Sequence, residues 1–163
     1  MTPSDIQFLF DYSDWAWDRL LNTAEALDEA QLDDKPWSLP SLHRILTHAL
    51  GAEILWRARM QGNSPTSMLT LEDVPTLAVL RERWREEMAT RRAFIGALTQ
   101  ADLDGTIHYK TTRGQPYEET LWRLLAHLAN HGTQHRSEAA ALLTELGHSP
   151  GDLDMIVYLR QTW

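Results

Sequence analysis

Residues 120–146 read TLWRLLAHLANHGTQHRSEAAALLTEL. Leu121, Leu124, Leu128 and Leu142 recur at three- and four-residue steps, the period of a helix with one buried face. Gly147 follows directly, a natural residue for the left-handed position after a helix end. His131 and His135 fall in the same row as the leucines, so this helix aims two imidazoles where a core side chain is expected. A helix with so long an apolar face requires neighbours, and the rest of the chain supplies them.

Helix-period patterns dominate elsewhere too. A first helix is expected from Ser4, as N-cap, to Ala30, with Phe8, Tyr12, Trp15, Leu20 and Leu27 among its apolar positions. QLDDKPWSLP breaks that pattern with two prolines. A second helix runs from Ser41 to Met60 and stops at QGNSP; a third opens near Pro75 and reaches Leu98. ADLDGTIHYKTTRGQPYEE reads as a loop or short hairpin around Arg113-Gly114, and DLDMIVYLRQ as a short closing helix. Four long helices joined by modest connections specify one all-α domain over residues 1–163, a four-helix bundle with a crossover connection. The segment 101–119 is long enough to be that crossover, or to cover one end of the bundle. Seven tryptophans suit core and end-cap packing, with pocket walls as the other use.

Composition excludes several classes. The chain of 163 residues is 43% hydrophobic and 23% charged, the balance of an ordinary globule. No apolar run reaches the length of about 18 residues that a membrane span needs. The start, MTPSDIQFLFDYSDW, has acids and no basic n-region, so no signal peptide is expected and cytoplasm is the expected location. The net charge is −8, and the densest basic stretch, RERWREEMATRRAF, is interleaved with Glu86 and Glu87. A solvated face with i,i+4 pairs explains it, so nucleic acid is not expected as a partner. Cysteine is absent, so disulfides are impossible and a transition metal would have to use His with Asp or Glu.

Residues four apart on a helix stand about 6 Å apart in rise and on one face, so His131 and His135 can converge on one ion. On the second helix His48 lies about −60° from Ile45, between Ala52 and Leu55, on the inward arc. His48, His131 and His135 are therefore the candidate metal ligands. Unpartnered burial would cost roughly 1–3 kcal/mol for each imidazole, a penalty that coordination would offset. Ordinary hydrogen-bonded core histidines are the alternative. His127 extends the row by one turn and suits the pocket edge. Glu53, about +80° on the second helix, and Asp14 and Asp18 on the first are weaker pocket candidates; surface acids are the plainer reading of each. Tyr12, Trp15 and Trp56 could line the same pocket. His43, His108 and His148 read as surface residues. Gly132 occupies the position of the glutamate in a His-Glu-x-x-His protease helix, which excludes that chemistry. Only Glu145-Leu146-Gly147-His148 fits Glu-x-x-His, which excludes a ferritin-like di-iron site. Gly132 itself leaves room either beside a metal or for close helix packing.

DYSDWAWDRLLNTAEAL, SLHRILTHALGAEILWRARMQG and AHLANHGTQHRSEAAALLTELGHSPGDLDMIVYL together give the chain a resemblance to the DinB-like family of metal-binding four-helix bundles. The last segment is the most specific, since the family commonly reads His-x-x-x-His-Arg-Gly-Gln there. The present chain departs from it with Ser137-Glu138, and has Asp18 where many relatives carry Asn. The resemblance implies His48, His131 and His135 as ligands of zinc, nickel or another divalent ion, and a homodimer. It also implies relatives that use low-molecular-weight thiols such as bacillithiol and mycothiol, and others described as metal-dependent hydrolases. Three neutral imidazoles leave a coordination position open, as in catalytic sites. The expected function is activation of a small thiol or of water on a small-molecule substrate, for transfer or hydrolysis. A non-catalytic metal-stapled bundle and a dimerising small-ligand protein are the alternatives.

Overall fold

Thr2, one turn ahead of apolar Ile6, caps the first helix: its hydroxyl accepts from the Asp5 amide and the Asp5 carboxylate returns to the Thr2 amide. The computed structural model describes residues 1–34 and 39–162. Helix α1 spans Pro3–Ala24, with Pro3 rather than Ser4 opening it. It stops short of the expected Ala30 because Asp28 makes its own capping box with Gln31 and starts a new helix, α2 (Glu29–Asp33). Pro36, one of the two expected breakers, lies outside the described residues; Pro40 precedes α3 (Leu42–Met60), which Ser41 caps. Helix α4 (Leu77–Gly96) is capped by Thr76 and begins at Leu77, two residues after the expected Pro75. A short α5 (Gln100–Leu103) leads into strands β1 (Thr106–Lys110) and β2 (Pro116–Thr120), paired antiparallel from Thr106–Thr120 to Lys110–Pro116. Their turn uses Gly114 at φ +82°, so of the two expectations for this segment the hairpin is the one observed. Helix α6 (Leu121–Glu145) ends where expected: Gly147 has φ +87°, and the His148 amide reaches back to the Leu143 carbonyl at 2.8 Å. Helix α7 (Met155–Thr162) closes the chain.

The architecture is the expected all-α bundle, with the hairpin as its only sheet among the described residues. Helix α6 packs between α1 and α3, and α4 packs between the same two on the opposite side. Two apolar clusters fix the directions. One joins Ile6 and Phe10 to Met60, Ile95, Leu121 and Leu125; the other joins Leu20 and Leu21 to Leu42, Leu46, Leu80 and Leu142. The starts of α1 and α6 therefore share one end with the finishes of α3 and α4, so α1 and α6 run parallel and α3 and α4 run the other way.

That arrangement decides between the two readings of 101–119 and puts the crossover elsewhere. The segment 101–119 joins two helices at the same end and covers it, with the Lys110 amide on Ser64 and Tyr109 against Trp56. The connection that spans the bundle is 61–76, which runs back along α3. Gly51 lets it seat closely: a Cβ there would stand 3.2 Å from that of Leu69. At its far end the Val74 carbonyl accepts from His43 Nε2 at 2.8 Å, while Nδ1 stands 3.3 Å from Asp33. His43 is thus buried at 4% exposure, contrary to the expected surface position.

Between the apolar clusters lies a polar layer fed by all four long helices. Arg91, 1% exposed, donates to Glu53 at 2.7 Å and to Asp14, whose other oxygen accepts from Arg92. Arg57 grips Glu87 bidentately at 2.6 and 2.7 Å, and Arg136 donates to Ser13 at 2.7 Å. Burial is the main force on Glu53 and Asp14, and it lifts both carboxyls above their ordinary range against the pull of Arg91.

Candidate metal centre

His48 on α3 and His131 and His135 on α6 come together at the seam between the two helices. One ring nitrogen from each lies within 4.8 Å of those of the other two. The Nε2 atoms of His131 and His135 are 3.1 Å apart, close to the roughly 3.3 Å between two nitrogens bound at 2.0–2.1 Å to one tetrahedral ion. The ring of His48 is 4.8 Å from that of His135 and 5.5 Å from that of His131. Local geometry explains the α6 pair, since a four-residue step stacks side chains on one face. The third ring arrives because α3 packs along α6.

The cluster sits at the edge of the bundle rather than deep inside it. His135 is buried, His131 half-buried and His48 exposed. Burial first, then the neighbouring rings, pushes the His131 pKa down to about 4; the same causes lower His48, with Glu138 opposing in both. Both rings are therefore neutral near pH 7, the form that ligates a metal. Nitrogen-only donors, close spacing and neutrality fit a divalent transition-metal ion.

The remaining candidates divide. His127 and Trp56 flank the cluster: His127 is 5.9 Å from His131 ring to ring and 5.1 Å from Trp56. The other five, named as possible pocket residues, lie elsewhere. Glu53 and Asp14 belong to the Arg91 layer, and neither is the surface acid that its plainer reading gave. Asp18 is exposed in a groove between α1 and α4 shared with Arg81 and Arg92. Tyr12 donates to the Leu153 carbonyl at 2.8 Å under the C-terminal segment, and Trp15 packs on Tyr158 of α7. Gly132 faces α1, where Ser13 Oγ and Trp17 Nε1 would each lie 3.8 Å from a Cβ, as the close-packing reading expects. A Cβ there would stand 3.0 Å from Nη1 of Arg136, which packs over Tyr12 and Trp17 toward α1.

Two features escaped the sequence reading. Glu138 accepts at 2.7 Å from Nδ1 of His135, and an acid three residues after a ligand on one helix was a signal available for it. The second is a cleft of ≈ 490 Å³ with His48, His135 and Glu138 on one wall. Ile45 and the crossover residues Met68, Leu69 and Leu71 supply its apolar side, with Arg44 beside them. No local pattern announces residues 68–71 as a pocket wall, because only the course of the crossover brings them there.

A model of the DinB family matches residues 2–162. Protein DinB of Bacillus subtilis (strain 168) is 25% identical over 168 residues, an overlap that covers 98% of this chain and 96% of that protein.

Proposed function

The chain belongs to the DinB family, and from that premise we propose that it is a divalent-metal enzyme that activates a small thiol or water for transfer or hydrolysis. The observation that carries this reading is the open histidine cluster: three ring nitrogens within 4.8 Å, with one of the three rings exposed. His48, His131 and His135 hold the ion, zinc or nickel. When bound there, the ion would supply the Lewis acidity that lowers the pKa of a small thiol or of water. The cleft beside it takes the body of the substrate, with Ile45, Met68, Leu69 and Leu71 excluding water from an apolar portion and Arg44 available to a negative one. His127 and Trp56 border the opposite side. The active assembly is proposed as a homodimer, which light scattering in solution checks.

The test compares metal-loaded protein with His131→Ala in two assays, thiols with electrophilic acceptors and activated esters or amides. Metal-dependent turnover that falls at least 100-fold in His131→Ala supports the reading. Absence of turnover in every assay, despite stoichiometric metal, overturns it and leaves an ion that only ties α3 to α6.

A further inference from the structure

Among the described residues, His135 is the only member of the cluster whose far ring nitrogen meets a carboxylate. Its Nδ1 is 2.7 Å from Oε2 of Glu138, and Oε1 of Glu138 accepts from Nε2 of Gln134 at 3.1 Å. All three residues lie on α6 at three- and four-residue steps, so the helix itself sets their spacing. An ionised carboxylate only accepts hydrogen bonds. A carboxylate at 2.7 Å pairs with the tautomer that carries its hydrogen on Nδ1 and keeps a lone pair on Nε2. Nε2 of His135 lies 3.1 Å from Nε2 of His131, a separation that two ligands of one ion can have. The side chains of His135 and Glu138 are 11% and 25% exposed, so the bond is partly shielded from solvent.

We infer that Gln134 and Glu138 are positioning residues for the metal centre: Gln134 steadies Glu138, and Glu138 fixes the tautomer and rotation of His135 while adding a negative charge beside the ion. The inference rests on the metal reading above but not on turnover. Both Glu138 oxygens are engaged in this relay, so Glu138 acts through His135 and is not a further ligand. Among the described residues His48 and His131 have no hydrogen-bonded carboxylate partner, which makes Glu138 the main outer contributor to affinity.

Chelator competition with Zn²⁺ and Ni²⁺ on the full chain tests it, using Glu138→Gln, Glu138→Ala and the exposed Gln134→Ala. Outer partners of ligating histidines are worth about 10–100-fold in affinity. Loss should therefore be about 100-fold in Glu138→Ala, about 10-fold in Glu138→Gln, which keeps an acceptor without the charge, and smaller in Gln134→Ala. Histidine-ring ¹⁵N–¹H spectra of metal-free protein give a readout that general loosening of the helix would not mimic. His135 should be in the Nδ1–H form in the parent and lose that preference in Glu138→Ala, with helical circular dichroism unchanged. Equal affinity in parent and Glu138 variants, or an Nε2–H His135 in the parent, overturns the inference while leaving the metal reading intact. A parent that binds neither ion overturns both.

Discussion

Arg91 is the residue on which the charge balance of the core turns. It joins Asp14 and Glu53 across sequence separations of 77 and 38 residues, all three being 5% exposed or less. Removing one partner of a buried ion pair costs about 3–5 kcal/mol, because the charge left behind has no compensation. Arg91→Met should lower stability by about that amount, read as a urea midpoint, and adding Asp14→Asn with Glu53→Gln should restore much of it. The deficit depends on pH in a definite sense. Burial already raises both carboxyls in the folded state, and without Arg91 nothing opposes it. The folded variant then holds protons that the unfolded chain has released above its ordinary carboxyl range, so stability falls as pH rises. The gap from the parent should be smaller at pH 5 than at pH 7. The same residues mark a boundary of sequence reading. His131 and His135 are legible as a pair because their relation is local to one helix. Asp14 and Glu53 read as surface acids because the arginine that buries them stands on another element.

Helix α6 contains one residue that local propensity alone disfavours. Gly132 costs about 1 kcal/mol against alanine in a helix interior. Alanine would nevertheless bring a Cβ to 3.0 Å from Arg136 Nη1, the atom that donates to Ser13 at 2.7 Å. Hydrogen bonds from charged groups contribute about 1.5–3 kcal/mol, which outweighs the propensity gain. Gly132→Ala should therefore destabilise the protein by about 1 kcal/mol in thermal unfolding; a stabilised variant would show that Arg136 moves aside freely. At this scale the four long helices were legible from period and caps alone, with ends misplaced where a second cap intervened, as Asp28 does after α1. Which connection spans the bundle was not. Helix direction comes from how the four faces mate, so 61–76 and 101–119 could exchange roles on sequence grounds.

For the molecule as a whole, the histidine cluster brings α3 and α6 together across a separation of 83 residues from His48 to His131, so an ion held there would tie the two helices. An ion that binds the folded form alone stabilises it by about 2.7 kcal/mol at a free concentration of 100 Kd. For a domain of this size that is a rise of about 5–10 °C in Tm. Zn²⁺ or Ni²⁺ should produce it in differential scanning, EDTA should reverse it, and His135→Ala should abolish it.

The polar layer carries one more implication. Asp14, Glu53, Glu87 and Arg91 stand between the Ile6–Leu125 cluster and the Trp17–Leu142 cluster, so the interior is two oily storeys with a floor of ions between them. Such a floor can part without tearing either storey, which sets up two cooperative opening units in one domain. Amide hydrogen exchange should then sort into two families of opening free energy, one for each end of the bundle.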